Sequence, residues 1–254
     1  MIRFPRVLGG AATALALLTA PVYSLDLNAM SEAERAAFGE AVREYILENP
    51  ELIVEAVNLL EQQQAAAESM QDSELVAANF DELQNDGYSW VGGNPDGDIT
   101  LVEFMDYRCG YCRRAAPEVE KLMAEDGNIR LVVKEFPILG EASMLSSRFA
   151  VATRIVAGDD AYKQVHDALI EFTGEPNEVS LRRLSEGLGL DADAIMARMN
   201  DDEITYELAQ TRALAQRMKI SGTPTFVLQN ELLRGYLPAD QMSIIIEDIR
   251  EQRG

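Results

Sequence analysis

The sequence predicts an α/β fold: a sheet of short strands with a helical insertion, preceded by an N-terminal α-helical arm. Three observations lead to it. Short apolar stretches near residues 99–105, 129–136 and 225–236 alternate with longer segments of helical period. The chain of 254 residues has two cysteines, and they stand together as Cys109-Gly110-Tyr111-Cys112, just past the first of those strands. Residues 26–86 carry helical spacing and read as a separate arm.

The N-terminus comes first. Arg3 and Arg6 precede an apolar stretch from Val7 to Ala20, too short to cross a bilayer comfortably and flanked as a secretory signal is. Val22 and Ser24 suit a cut after Ser24, whereas a cut after Ala20 would leave Pro21 first. Residues 1–24 are therefore read as a signal peptide, with an uncleaved anchor as the alternative. Export places the thiols in an oxidising compartment, here the periplasm. The formal charge is −21, and removing residues 1–24 takes away two arginines and no acid. So acidic a chain repels nucleic acid and anionic lipid, which excludes both as partners. A mature chain of about 230 residues buries a core without disulfide staples.

Ser31 followed by Glu34 is a capping-box start, and Phe38, Val42, Tyr45 and Ile46 make one apolar stripe. Asn49-Pro50 breaks the pattern, with Pro50 suited to the first turn of a second helix. Ile53, Ala56, Leu60, Gln63, Ala67 and Met70 then recur at spacings of three and four, like a short coiled-coil seam that weakens after Leu60. Such an arm (residues 25–86) needs a partner, either a second copy or the rest of the chain. Trp90 to Asp98 reads as turns, Ile99–Met105 as a strand, Cys109 to about Ala124 as a helix, and Ile129–Phe136 as a strand stopped by Pro137. Residues 141–218 return to helical periods, with stripes through Leu145, Phe149 and Ala152, through Val165 and Leu169, and through Leu181, Leu184 and Leu188. Asp191 can cap a fourth helix, and Ile204, Leu208, Ala215 and Met218 line a fifth. Thr225–Gln229 and Leu232–Tyr236 read as strands joined by a tight turn at Asn230 and Glu231. Ala239–Arg250 closes as a helix.

A C-x-x-C at a strand-to-helix junction suits thiol exchange. Cys109 falls at the helix start, where free backbone N–H groups and the helix dipole favour a thiolate. Cys112 lies one turn later and can resolve a mixed disulfide formed at Cys109. Tyr111 tunes the potential and faces the substrate. A structural zinc site wants four ligands, and beyond the two thiols the chain offers only His166, read as an exposed helix residue; no metal site is expected. Copper(I) tolerates two thiolates and stays open. A purely structural bridge over so small a loop would remove little unfolded-state entropy.

The stretch Thr100-Leu101-Val102-Glu103-Phe104-Met105-Asp106-Tyr107-Arg108-Cys109-Gly110-Tyr111-Cys112 resembles the active-site strand and turn of thioredoxin-fold proteins. Ser221-Gly222-Thr223-Pro224-Thr225-Phe226 resembles their cis-proline loop. The long helical block between them is that of the DsbA-like branch, so residues 87–254 resemble a DsbA-like thioredoxin domain with a helical insertion at about 141–218. The resemblance implies that Glu103 is a buried acid able to shuttle the proton of Cys112, and that Pro224 is cis and presents the Thr223 backbone to an extended substrate. It also implies that Pro117 kinks the active-site helix and that Lys134 pairs with the buried acid. Phe38-Gly39-Glu40-Ala41-Val42-Arg43-Glu44-Tyr45-Ile46-Leu47-Glu48-Asn49-Pro50-Glu51 resembles the arm of ScsC-type proteins, a periplasmic group linked to copper tolerance, some of which are trimers.

The expectation is thus a thiol–disulfide oxidoreductase of cysteine-containing proteins, needing no small-molecule cofactor and reset by a membrane redox partner. The arm favours disulfide isomerase or reductase over oxidase. A copper-binding or copper-relay role of the same thiols is the rival class.

Overall fold

The computed structural model describes residues 29–253. The signal-peptide reading of residues 1–24 lies outside the described residues. The chain divides into two compact units, Met1–Leu60 and Glu61–Gly254.

In the first unit, Ser31 and Glu34 cap α1 (Glu32–Glu48) reciprocally: the Glu34 N–H donates to Ser31 Oγ, and the Ser31 N–H donates to Glu34 Oε2 at 2.9 Å. The α1 helix ends at Asn49, whose side chain donates to the Tyr45 carbonyl. Pro50 then precedes α2 (Glu51–Ala78), which starts in this unit and continues into the next. No residue of α1 is buried. Phe38, Tyr45, Ile53, Val57 and Leu60 all stand exposed.

The second unit is built on a five-stranded sheet. After α3 (Phe80–Gln84) come β1 (Trp90–Gly93), β2 (Ile99–Met105), α4 (Gly110–Asp126) and β3 (Ile129–Glu135). Five helices follow: α5 (Glu141–Ala157), α6 (Asp159–Glu171), α7 (Glu178–Gly187), α8 (Ala192–Arg198) and α9 (Asp202–Arg217). The chain returns as β4 (Thr225–Leu228) and β5 (Glu231–Arg234) and closes with α10 (Ala239–Glu251). The strand order is β1-β3-β2-β4-β5; β2 and β3 run parallel, and every other pair is antiparallel.

Every residue of β2 is buried, because both faces of the sheet are covered. Leu101 and Met105 face one core with Leu131, Val133 and residues of α4, α5, α6 and α10. Val102 and Phe104 face the other with Val132, Val227, Leu214 and Met218, together with Val76 and Leu83 from α2 and α3. Each such large aliphatic contributes about 1.5–3 kcal/mol by leaving water.

Two expectations are corrected. Trp90–Gly93 is a strand, not a turn: it pairs along the free edge of β3 in the register Trp90↔Val133 to Gly93↔Arg130. The glycines belong there for close packing. A Cβ on Gly92 would strike the Trp90 ring, and Gly93 has φ +71° with the Ile129 carbonyl against it. The β4–β5 turn falls at Gln229 and Asn230, since Leu228 pairs with Glu231; Gln229 takes the left-handed conformation with φ +55°.

Candidate active site

The end of β2 and the start of α4 position the sulfurs. Asp106, fully buried, shapes the turn between them. Its carboxylate accepts the Arg108 N–H at 2.8 Å and the N–H groups of Ile138 and Leu139 at 2.8 and 3.1 Å, and its carbonyl accepts the Cys109 N–H at 3.0 Å. Sequence reading missed this residue, although an acid at the first position after a strand, able to bond the N–H two residues on, is a known turn former. Cys109 is the N-cap of α4 with extended backbone, φ −77° and ψ 117°. It sits where the helix dipole is positive and N–H groups are free. The residue is 8% exposed, and its thiol donates to the Thr223 carbonyl at 3.1 Å. Cys112 is fully buried one turn on. Both thiols are free. Burial, then the charge of Glu103, pushes the Cys112 thiol well above the ordinary range.

Glu103 is 6% exposed and lies on the same sheet face as Leu101 and Met105. Among the described residues nothing hydrogen-bonds its carboxyl, which lines a cavity of about 610 Å³ together with Pro117, Trp90, Lys163 and His166. Burial, followed by the charges of Glu135 and Glu120, raises its pKa to about 8.

The Thr223-Pro224 bond is cis. Pro224 is buried, and its carbonyl accepts the Gly235 N–H at 2.9 Å. A cavity of about 150 Å³ lies along Ser221–Thr225 and is closed by Arg234 and Gly235. Tyr111 projects from α4, 62% exposed. The fold thus brings Cys109, Cys112 and Thr223 together, with Glu103 within electrostatic reach of Cys112, while Tyr111 points away from the core.

Two expected placements are corrected. Lys134 does not pair with Glu103. Adjacent residues of a strand face opposite sides of a sheet, and Lys134 lies opposite the face shared by Glu103 and Val133. Its ammonium, fully buried, instead bonds to Asp86 at 2.5 Å and to the Glu82 carbonyl at 2.7 Å. Burial pushes Asp86 up, but the charge and hydrogen bond of Lys134 and the bonds from Ser89 hold its carboxyl below the ordinary value. His166 is not an exposed helix residue. Its Nδ1 is 3.1 Å from the Tyr107 hydroxyl, and its ring stacks on Tyr162. Burial lowers its pKa to about 4.

Tyr107 opens onto a polar cluster that the sequence reading missed. Glu135, at the end of β3, is 6% exposed and accepts three hydroxyls: Tyr107 at 2.7 Å and Tyr162 at 2.6 Å on Oε1, and Ser147 at 2.7 Å on Oε2. Burial raises the carboxyl to about 7 against the pull of those three bonds. Among the described residues, no group of three His, Cys, Asp or Glu side chains is placed to hold a metal ion.

A helix-capping thiol, a second thiol one turn on, and a cis-proline loop against them make up the candidate site. Residues 100–247 match the DSBA-like thioredoxin domain family. The chain belongs to that family of oxidoreductases. Residues 34–67 match the copper resistance protein ScsC N-terminal domain. A thioredoxin-like oxidoreductase from Silicibacter pomeroyi DSS-3 is 41% identical with a TM-score of 0.63, covering 67% of this chain and 97% of that one. BcfH of Salmonella enterica Typhimurium is 27% identical with a TM-score of 0.69, covering 85% of this chain and 95% of that one. Among curated relatives, a Na(+)/H(+) antiporter NhaA of Salinispora tropica is 28% identical over 156 residues, covering 61% of this chain. The chain spans 24% of that antiporter's length.

Proposed function

We propose that this chain is a periplasmic thiol–disulfide oxidoreductase of cysteine-containing proteins, with a preference for isomerisation or reduction over oxidation. The observation that supports it most is the Cys109 sulfur at the start of α4, 3.1 Å from the Thr223 carbonyl. In this reading the Cys109 thiolate attacks a client disulfide, forming a mixed disulfide and releasing one client thiolate. Glu103 accepts the Cys112 proton. The Cys112 thiolate then attacks Cys109, the Cys109–client bond breaks, and the client leaves with both sulfurs reduced while the enzyme holds the disulfide. A membrane redox partner returns the two electrons. The Thr223 backbone and Pro224 guide the client chain, and Tyr111 contacts it.

The exposed apolar residues of the arm support self-association of the proposed arm, residues 25–86, as a homotrimer. The signal-like N-terminus supports export. Insulin reduction tests the chemistry: activity should vanish in Cys109→Ser, and unchanged activity there would overturn the reading. Refolding of scrambled ribonuclease tests the preference. Isomerisation by the wild type, lost when Ile53→Glu and Val57→Glu are introduced, supports it; a wild type that forms disulfides in reduced ribonuclease but neither isomerises scrambled ribonuclease nor reduces insulin refutes it.

A second reading is favoured by the ScsC-like arm, whose family is named for copper resistance. In it the reduced thiols hold Cu(I). One equivalent of Cu(I) retained by the reduced protein and released on oxidation supports that role, and no retention rejects it.

A further inference from the structure

Glu103 has a second acid beside it. Residues 103 and 133 are register partners on the parallel strands β2 and β3, so Glu135 lies two positions further along the same face. Both carboxyls are inside the protein, and two like charges this close are not both ionised easily around neutrality.

Their surroundings differ sharply. Glu135 accepts three hydroxyl hydrogen bonds, while among the described residues Glu103 accepts none. With the Tyr107 and Tyr162 hydroxyl protons both committed to Glu135, the His166 Nδ1–H must donate to the Tyr107 oxygen. Three donors aimed at one buried carboxyl stabilise its ionised form. The same cluster ties β3 to α5 through Ser147, to α6 through Tyr162, and to the turn before Cys109 through Tyr107.

We propose that Glu135 is a positioning residue that acts through Glu103. It is the member of the pair that holds the negative charge, and it thereby keeps Glu103 protonated and restrains proton removal from Cys112. The proposal rests on the thiol-exchange reading. The pKa order agrees, with Glu135 near 7 and Glu103 near 8.

The other charged and titratable groups around the pair leave this logic intact. Asp106 lies in the turn after β2 and adds negative charge at Glu135. From α5, Arg154 lines the small space beside Glu135, but it is paired with Glu207 of α9 at 3.1 Å. Tyr88 lines the same space. From α6, Tyr162 and His166 are already bonded or stacked, and Lys163 pairs with Glu120 of α4 and with Asp167. Glu120 also adds negative charge at Glu103. Arg113 of α4 lines the Glu103 cavity, with its guanidinium bonded to the carbonyls of Tyr107 and Phe172.

The test is the pH dependence of glutathione release from the Cys109–glutathione mixed disulfide of the full chain. In this step the Cys112 thiolate attacks Cys109, the new S–S bond forms, and glutathione thiolate leaves. The limb of the pH profile present in the wild type and absent in Glu103→Gln belongs to Glu103. In Glu135→Gln that limb should move down by about one pH unit, making release up to about tenfold faster at its foot. In Ser147→Ala, which removes one donor from the Glu135 carboxylate, it should move down by less. Near-UV circular dichroism identifies folded variants, and if Glu135→Gln does not fold, Ser147→Ala decides. A limb unmoved or moved upward in a folded variant overturns the proposal. Absence of any Cys112-dependent release in the wild type would instead overturn the exchange reading beneath it.

Discussion

The Cys109 thiol donates to the carbonyl of Thr223, 114 residues further along the chain, at 3.1 Å. The contact joins two segments separated in sequence by β3 and the whole helical insertion, since the sulfur leads into α4 and the carbonyl leads into β4. It places the sulfur beside the backbone to which the proposed function assigns the client chain.

The two sulfurs are expected to fail in different ways. Cys109→Ser should remove insulin reduction altogether. Cys112→Ser should leave the first attack intact and accumulate a mixed disulfide, seen as a protein adduct on a non-reducing gel that disappears with dithiothreitol. Adducts of equal yield in Cys109→Ser would contradict this division of roles.

Glu103 should make the protein less stable as the pH rises. Its folded pKa, near 8, lies above the ordinary value of 4.5, so the unfolded chain releases this proton first. Stability attributable to Glu103 therefore falls between about pH 4.5 and pH 8 and is level outside that window. Glu103→Gln should raise stability by a few kcal/mol at pH 8.5, on the order of 1.4 kcal/mol for each pH unit the window spans, and by almost nothing at pH 4. Urea unfolding at the two pH values measures the difference, and an equal gain at both would exclude a titration effect.

The pair Lys134–Asp86 is buried on both sides, with the side chains 0% and 5% exposed. Asp86→Ala leaves an ammonium without its counter-charge and should cost about 3–5 kcal/mol. The double change Asp86→Ala with Lys134→Met should recover most of that loss. Chemical denaturation of the single and double variants provides the cycle. A single variant as stable as the wild type would mean that the ammonium finds water.

The arm should govern the oligomeric state. Ile53 and Val57 are 51% and 47% exposed, one turn apart on α2. Glutamates at both positions should reduce the mass measured by light scattering to that of one chain, while insulin reduction stays within about twofold, since both positions lie outside the unit that holds the sulfurs. A wild type already at the mass of one chain would reject the trimer.

The parts of the fold with a strong local pattern are legible in the amino-acid sequence. Apolar runs mark β2, β3 and β4, and the stripes through Phe149, Val165, Leu181 and Ile204 place the insertion helices. The strand β1 escapes because Trp90-Val91-Gly92-Gly93 has no alternation of its own. Its pairing is decided by the open edge of β3 and by an indole lying over Gly92. The Glu135 cluster escapes for a different reason. Tyr107, Ser147 and Tyr162 converge from positions 28, 12 and 27 residues away, a relation that no periodicity encodes. One signal is present: Lys134 and Glu135 are adjacent charges on a strand covered on both faces, so each has to find a buried partner on its own side.

The packing of Val76 and Leu83 against the sheet, with the Asp86 carboxylate on Lys134, has a practical consequence. The residues just before β1 are part of the redox unit's foundation, and removing them would uncover apolar sheet and strand a charge. A shortened chain intended to isolate the sulfur chemistry from the arm should therefore be cut within the first half of α2, near Leu60, and not at the start of the first strand. Loss of activity after a cut at residue 86 would report unfolding rather than any catalytic duty of the arm.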